Sequence, residues 1–184
     1  MSAILKSYLC IWRRCIGLIT VAIILAGGST VLASDGSGAN TLPYSLSGSI
    51  EVSRVSDGDS LRSGKLKIRL FGIDAPEIKQ QCIREDGTRW PCGLAAKEAL
   101  SALATSTPQL ECRLHDVDRY GRVIMQCFAG DIDIGAALVE QGLALAYRDY
   151  SKAYIPHEQT AAKQKRGIWN GEFVKPWEWR RKTN

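Results

Sequence analysis

Histidine is almost missing from this chain: among 184 residues only His115 and His157 occur. His115 falls in a strand-like segment and His157 opens a helical one. Neither has the partner spacing of a Ser-His-Asp site or a histidine metal site, so both read as structural. No Cys-x-x-Cys pair is present, which favours structural disulfides over a cysteine metal site. No G-x-x-x-x-G-K-[ST] run is present, which removes a nucleotide-driven motor. No repeat of 20–50 residues recurs, so the chain is not a solenoid. With 17 Gly, 6 Pro, 45% hydrophobic and 23% charged residues, it is neither collagen-like, nor a disordered acidic tail, nor a multi-span membrane protein. A strong charge of one sign is lacking too. The formal net charge of +5 includes Lys6, Arg13 and Arg14 in a segment without acids. Beyond residue 33 there are 21 basic and 19 acidic residues, a net +2. Any affinity for polyanions must therefore come from local placement of charge.

The N-terminus has the parts of an export signal. Lys6, Arg13 and Arg14 precede an apolar run from Cys15 to Ala26, and the small residues Gly27 to Thr30 lead to Val31-Leu32-Ala33. Cleavage is expected after Ala33. A second reading is an uncleaved anchor, because the charge-free stretch Cys15–Ser34 nearly reaches the length of a bilayer span. Both readings put the rest of the chain outside the cytoplasm, periplasmic or secreted, and only the second involves the membrane. Residues 34–47 are rich in Gly, Ser and Asn and read as a linker. About 150 residues remain, enough for one domain that buries roughly 68–70% of its unfolded surface.

Four cysteines remain after the signal, an even number that suits an oxidising compartment. Cys112 and Cys127 lie in two strand-like segments, 110–114 and 123–128, joined by the turn Asp118-Arg119-Tyr120-Gly121. They are equidistant from the centre of that turn and should face each other. The expected bridges are Cys112–Cys127 and, by elimination, Cys82–Cys92, each contributing about 2–4 kcal/mol.

Strands come first and helices later. Segments 48–56, 59–63 and 65–73 are short and broken by the turn signals Asp57-Gly58 and Ser63-Gly64. In the third, Leu66, Ile68 and Leu70 share one face, and Lys67, Arg69 and Phe71 the other. Helices fit 93–104, 133–141 with Asp133 as N-cap and Gly142 as stop, and 156–166 with Pro156 in the first turn. Five strands with about three helices point to a small α+β, mainly β protein: an OB-type barrel with helical cover over 48–170. The segment 171–184, with Trp177, Trp179 and Arg180-Arg181-Lys182, reads as a packed or solvated tail. Contact of that tail and Trp169 with nucleic acid is the second reading.

The chemistry lies in acids and arginines. Asp57-Gly58-Asp59 sets two carboxylates two residues apart, and Arg69 through Glu77 adds Asp74, Glu77 and a guanidinium. If the strands are neighbours, Asp59 and Asp74 converge where a hard cation binds through oxygen. Arg122 supplies a second guanidinium. Oxygen ligands, a further carboxylate and two arginines are what phosphodiester hydrolysis requires. Each piece alone has an ordinary explanation as a turn or surface ion pair; the combination is what carries the reading.

That combination, from about Gly48 to Trp169, resembles the staphylococcal nuclease (thermonuclease) family, calcium-dependent nucleases on an OB-fold barrel. Asp-Gly-Asp-Ser at 57–60, Arg69 to Glu77, and Asp118 to Arg122 match its motifs in order. The segments 138–144, 157–159 and 167–169 add support. The resemblance implies Ca²⁺ as cofactor, with Asp59, Asp74 and the main-chain carbonyl of Ala75 as ligands. It implies Arg69 and Arg122 as catalytic arginines and Glu77 as the proposed general base. Arg119, Tyr120 and Tyr147 are then nucleotide-binding. It also implies DNA, preferably single-stranded, and RNA as substrates, cut to leave 3′-phosphate ends. Ala75 replaces the type enzyme's threonine, where only a carbonyl is needed. Residues 79–92 are not its lysine-rich loop, and its next tyrosine falls at Asp149, beside Tyr150. Exported relatives of this layout also resemble proteins of succinoglycan production. A binding or accessory role in exopolysaccharide or envelope assembly is therefore the alternative to hydrolysis.

Overall fold

The computed structural model describes residues 47–183, so the expected signal segment or anchor and nearly all of the linker lie outside the described residues. β1 (Ser47–Ile50) and β2 (Arg54–Val55) are followed by β3 (Ser60–Ser63), β4 (Leu66–Leu70) and β5 (Ile73–Asp74). β6 (Cys82–Arg84) and β7 (Arg89–Trp90) precede α1 (Cys92–Ala104). β8 (Leu110–Val117) and β9 (Val123–Ala129) form the long hairpin, and β10 (Ile132–Asp133) leads into α2 (Ile134–Glu140). β11 (Leu145–Ala146), α3 (Ile155–Lys163), a 3₁₀ turn (Gly167–Trp169), β12 (Gly171–Glu172) and α4 (Pro176–Thr183) follow.

The main sheet runs β1-β8-β9-β4-β3-β2, with β10 added to β9. β4 pairs with β9 in parallel and its other pairs are antiparallel. The β8–β9 register shifts between Leu114 and Asp116, so His115 is the extra residue of a bulge in β8. A bulge bends and twists its strand, and this one helps curl the sheet. The His115 ring stacks on Phe71 with centroids 3.7 Å apart. This curled sheet with helical cover is the OB-like α+β fold expected from the sequence.

The concave face is filled by Leu61, Ile68, Leu70 and Ile73 from the strands, and by Leu100, Ile134 and Leu138 from α1 and α2. Alternation in β4 holds for Ile68 and Leu70, whereas Leu66 opens the strand and is exposed. Asp133 caps α2 as expected: its Oδ1 accepts from the Ala136 amide at 3.1 Å, and the Tyr154 hydroxyl donates to the same carboxylate. Both disulfides form as expected, Cys82–Cys92 and Cys112–Cys127, with the second pair directly opposite in the β8–β9 register.

Three differences from the sequence reading have physical causes. The first strand breaks after Ile50, the 65–73 strand ends at Leu70, and Gly72 turns the chain with φ +69° into β5. Residues 79–92, stapled by Cys82–Cys92, carry β6 and β7, and β12 pairs with β6 to make a three-stranded sheet. The segment 171–184 also carries a fourth helix, α4, begun by Pro176, with Glu178 in its first turn and Arg180, Arg181 and Lys182 in its last. Trp90, Trp169, Phe173 and Trp177 pack with Cys82, Cys92, Leu145 and Ile168 in a second small core. No helix among the described residues is long and apolar enough to cross a membrane.

Candidate active site

Two glycines let backbone come close enough to form the pocket. A Cβ on Gly58 would lie 2.7 Å from the Cβ atoms of both Ala75 and Ala96, so the Asp57-Gly58-Asp59 turn can press against α1 and the residue that follows β5 only without a side chain there. A Cβ on Gly93 would lie 1.7 Å from the Glu77 carbonyl oxygen, so the start of α1 abuts the backbone of Glu77. Pairing of β3 with β4 sets Ser60 opposite Arg69, one residue from Asp59. Pairing of β5 with β11 sets Asp74 opposite Leu145, two residues before Tyr147.

Asp59 and Asp74 are buried, and the Arg69 guanidinium bridges them. Nη1 lies 2.9 Å from Asp59 Oδ1, and Nη2 lies 2.7 Å from Asp74 Oδ1. The Ser60 hydroxyl donates to Asp59 Oδ1 at 2.8 Å, and the Ala75 amide to Oδ2 at 3.2 Å. Burial alone would raise the Asp59 carboxyl; Arg69 and these donors outweigh it and hold it below the usual range. For Asp74 burial prevails and pushes the carboxyl up, against the opposing pull of Arg180 and Arg69. Asp57 is pushed up to about 6, first by burial and then by the neighbouring Asp59 charge.

The sequence reading missed Arg180. From α4 it donates Nη2 to Asp74 Oδ2 at 2.8 Å and Nη1 to Glu77 Oε1 at 2.8 Å. These two carboxylates hold the Arg180 guanidinium charged despite its burial. Trp177, three residues earlier on the same helical face, stacks on Tyr147 with centroids 5.6 Å apart and docks the helix. Gln80, fully buried, accepts from the Glu77 amide at 3.2 Å and donates to the Val174 carbonyl at 2.6 Å, tying the Glu77 loop to the chain before α4. The available signal was the three-residue spacing of Trp177 and Arg180 after a helix-starting proline.

Arg122 is not joined to this cluster. Its Nε donates to Asp118 Oδ2 at 2.7 Å within its own turn. It directly precedes β9, two residues before Ile124, the register partner of Arg69, so the pleat sets Arg122 and Arg69 on one face. Arg119 and Arg122 both lie over the exposed Tyr120 ring, 4.9 and 5.7 Å from its centroid. The Tyr147 ring centroid lies 5.0 Å from that of Tyr150 and 5.6 Å from that of Trp177. Tyr147, Arg148, Asp149, Lys175 and Trp177 border a cleft of ≈430 Å³. The histidines stay out of the pocket: His115 stacks on Phe71, and His157 approaches Glu140 at 3.7 Å.

The donor chemistry fits a hard divalent cation. Asp57, Asp59, Asp74 and Glu77 bring four carboxylates against the two guanidinium groups of Arg69 and Arg180, an excess of two negative charges when all are ionised. The raised Asp57 reflects part of that excess. All donors are oxygen, which suits Ca²⁺. Among the described residues no three His, Cys, Asp or Glu side chains form a cage unaided, so main-chain oxygen and water would complete the coordination.

A curled OB-like sheet thus carries two buried aspartates bridged by Arg69 and met from α4 by Arg180. The sequence profile described as "Staphylococcal nuclease homologue" matches residues 67–171, more than half of the chain. An "Uncharacterized endonuclease" of Escherichia coli is 36% identical over 137 residues, covering 70% of this chain and 82% of that protein. A "Micrococcal nuclease" of Shigella flexneri is 32% identical over 149 residues, covering 71% and 79%. The "Succinoglycan biosynthesis protein ExoI" of Rhizobium meliloti (strain 1021) is 33% identical over 120 residues, covering 64% of this chain and only 63% of its own length. The chain belongs to the staphylococcal nuclease family.

Proposed function

We propose that this protein is an exported Ca²⁺-dependent nuclease that hydrolyses phosphodiester bonds of DNA, preferably single-stranded, and of RNA. The observation that carries the reading is the Arg69 guanidinium bridging two buried aspartates, with Glu77 held beside them by Arg180. Relatives named as nucleases support the reaction class, and two disulfides support an oxidising compartment. Asp59, Asp74 and the Ala75 carbonyl would hold Ca²⁺, which when bound supplies charge neutralisation at the phosphoryl oxygens.

The chain's own residues do the rest. Glu77 orients and polarises a water for attack on phosphorus opposite the leaving 5′ oxygen, leaving a 3′-phosphate. Arg69 is fixed by its two aspartates, so its remaining N–H groups meet the phosphate with little reorganisation. Arg122 is anchored through Nε alone, which leaves both terminal amino groups for bidentate contact with the developing negative charge. Arg119, Tyr120 and Tyr147 supply cationic and stacking contacts to the nucleotide.

The test is hydrolysis of a labelled single-stranded DNA by the oxidised protein with Ca²⁺ or with EGTA, beside Glu77→Gln and Arg69→Ala. Cutting that needs Ca²⁺ and falls in both variants is the expected result. The succinoglycan-biosynthesis relative favours a second reading, an accessory role in exopolysaccharide or envelope production. Folded protein that cuts nothing at high Ca²⁺ would move the assignment there.

A further inference from the structure

Register places a row of like charges across the outer face of the sheet. Arg54 in β2 stands directly opposite Arg62 in β3, and Arg62 directly opposite Lys67 in β4. Extending the parallel β4–β9 register by one residue sets Arg122 beside Lys67. Arg69, two residues along β4, shares their face, because Leu61, Ile68 and Leu70 fill the opposite one. The row thus begins at the β2 edge and ends at the two arginines of the site.

Like charges directly opposite one another destabilise a sheet. Among the described residues, Arg54, Arg62 and Lys67 form no ion pair, while Lys165, Arg166 and Arg148 elsewhere each meet a carboxylate. Arg54 and Lys67 are exposed and Arg62 is half-buried. Adjacent strands lie about 4.8 Å apart, so the three positions span about 10 Å, the reach of two to three consecutive phosphates. A polyanion laid across the strands would relieve the repulsion that the fold itself leaves uncompensated.

We propose that Arg54, Arg62 and Lys67 form a backbone-binding track that leads a single nucleic-acid strand across β2, β3 and β4 to Arg69. The proposal rests on the nuclease reading for its occupant, but its test needs no catalysis. Binding of a fluorescent twenty-residue oligothymidylate to the whole protein is measured in EGTA at several salt concentrations. The triple variant Arg54→Gln/Arg62→Gln/Lys67→Gln is compared with a control of equal charge change, Arg89→Gln/Lys152→Gln/Lys163→Gln. Each phosphate contact to a single strand contributes about 0.7 to the slope of log K against log salt. The track variant should lose about 2 from that slope and bind on the order of a hundredfold more weakly at 0.1 M salt, while the control keeps the wild-type slope. Its melting temperature should stay level or rise, since removing opposed like charges relieves the sheet.

An unchanged slope, or a loss equal to that of the control, overturns the track. So does a larger loss on phosphatidylglycerol vesicles or on alginate than on the oligonucleotide, which would assign the row to a membrane or an acidic polysaccharide. Intact binding loss in a protein that never cuts would retain the track and remove the nuclease. Active cutting with unchanged binding would do the reverse.

Discussion

Arg69 and Arg122 share one face of one sheet, yet the fold treats them differently. Arg69 lies between two buried aspartates, with its side chain 14% exposed. Arg122 is 29% exposed and held by a single aspartate four residues away in its own turn. The first is built into the structure: removing it leaves charge stranded in a poorly solvated pocket. The second is delivered by a hairpin that would fold much the same without it. A charge can thus belong to one face in two ways, as part of the scaffold or as a group carried at its rim, and stability measurements separate the two.

Arg69→Ala should have the largest effect. It leaves Asp59 and Asp74 buried with one partner fewer, a loss of about 3–5 kcal/mol by analogy with broken buried pairs, read in urea unfolding, together with loss of hydrolysis. A variant as stable as wild type would show that Arg69 is not part of the scaffold. Arg180→Ala comes next, at about 1–3 kcal/mol, because Asp74 keeps Arg69 while Glu77 loses its cation. Its kcat should fall more than its KM rises, and Arg180→Lys should recover part of the rate. Arg122→Lys should leave stability within about 0.5 kcal/mol yet slow hydrolysis on the order of a hundredfold, since the charge remains and the bidentate fork does not. Full activity in that variant would remove Arg122 from the reaction.

The smallest effect is a pH dependence at the rim. Burial acts to raise the Asp118 carboxyl, but hydrogen bonds from the Arg122 amide and guanidinium and the Tyr120 amide hold it below its ordinary 3.8. A depressed acid contributes stability above its unfolded pKa and loses it as pH falls through the folded one. The hairpin should therefore loosen only below about pH 4. Asp118→Asn should flatten that acid limb in a melting-temperature series; an unaltered limb would place the acid sensitivity elsewhere.

Much of the pocket was legible because its making is local. The alternation through Ile68, Arg69 and Leu70 fixes which side chain faces the core, and the turn at 118–121 sets Cys112 against Cys127 by counting alone. Asp59, Arg69 and Asp74 needed only the assumption that consecutive strands pair. Arg180 could not be reached in that way. Its place depends on Glu172 pairing with Ile83 and on Gln80 holding Val174, contacts between residues far apart in the chain. Strands of two residues carry no period to read, and Trp-Glu-Trp-Arg-Arg-Lys has the composition of a solvated end as much as of a docked helix. Arg122 shows the complementary gap. Sequence identified the residue, while its tether to Asp118 emerged only from the folded turn.

The docking of α4 also has a consequence for the order of events in time. Carboxylates at 57–77 are made early, and the guanidinium that steadies two of them belongs to residue 180. A chain synthesised or threaded from its N-terminus therefore carries an incomplete pocket until that arginine has emerged. Docking of α4 is thus the step that gives Asp74 and Glu77 their shared cation.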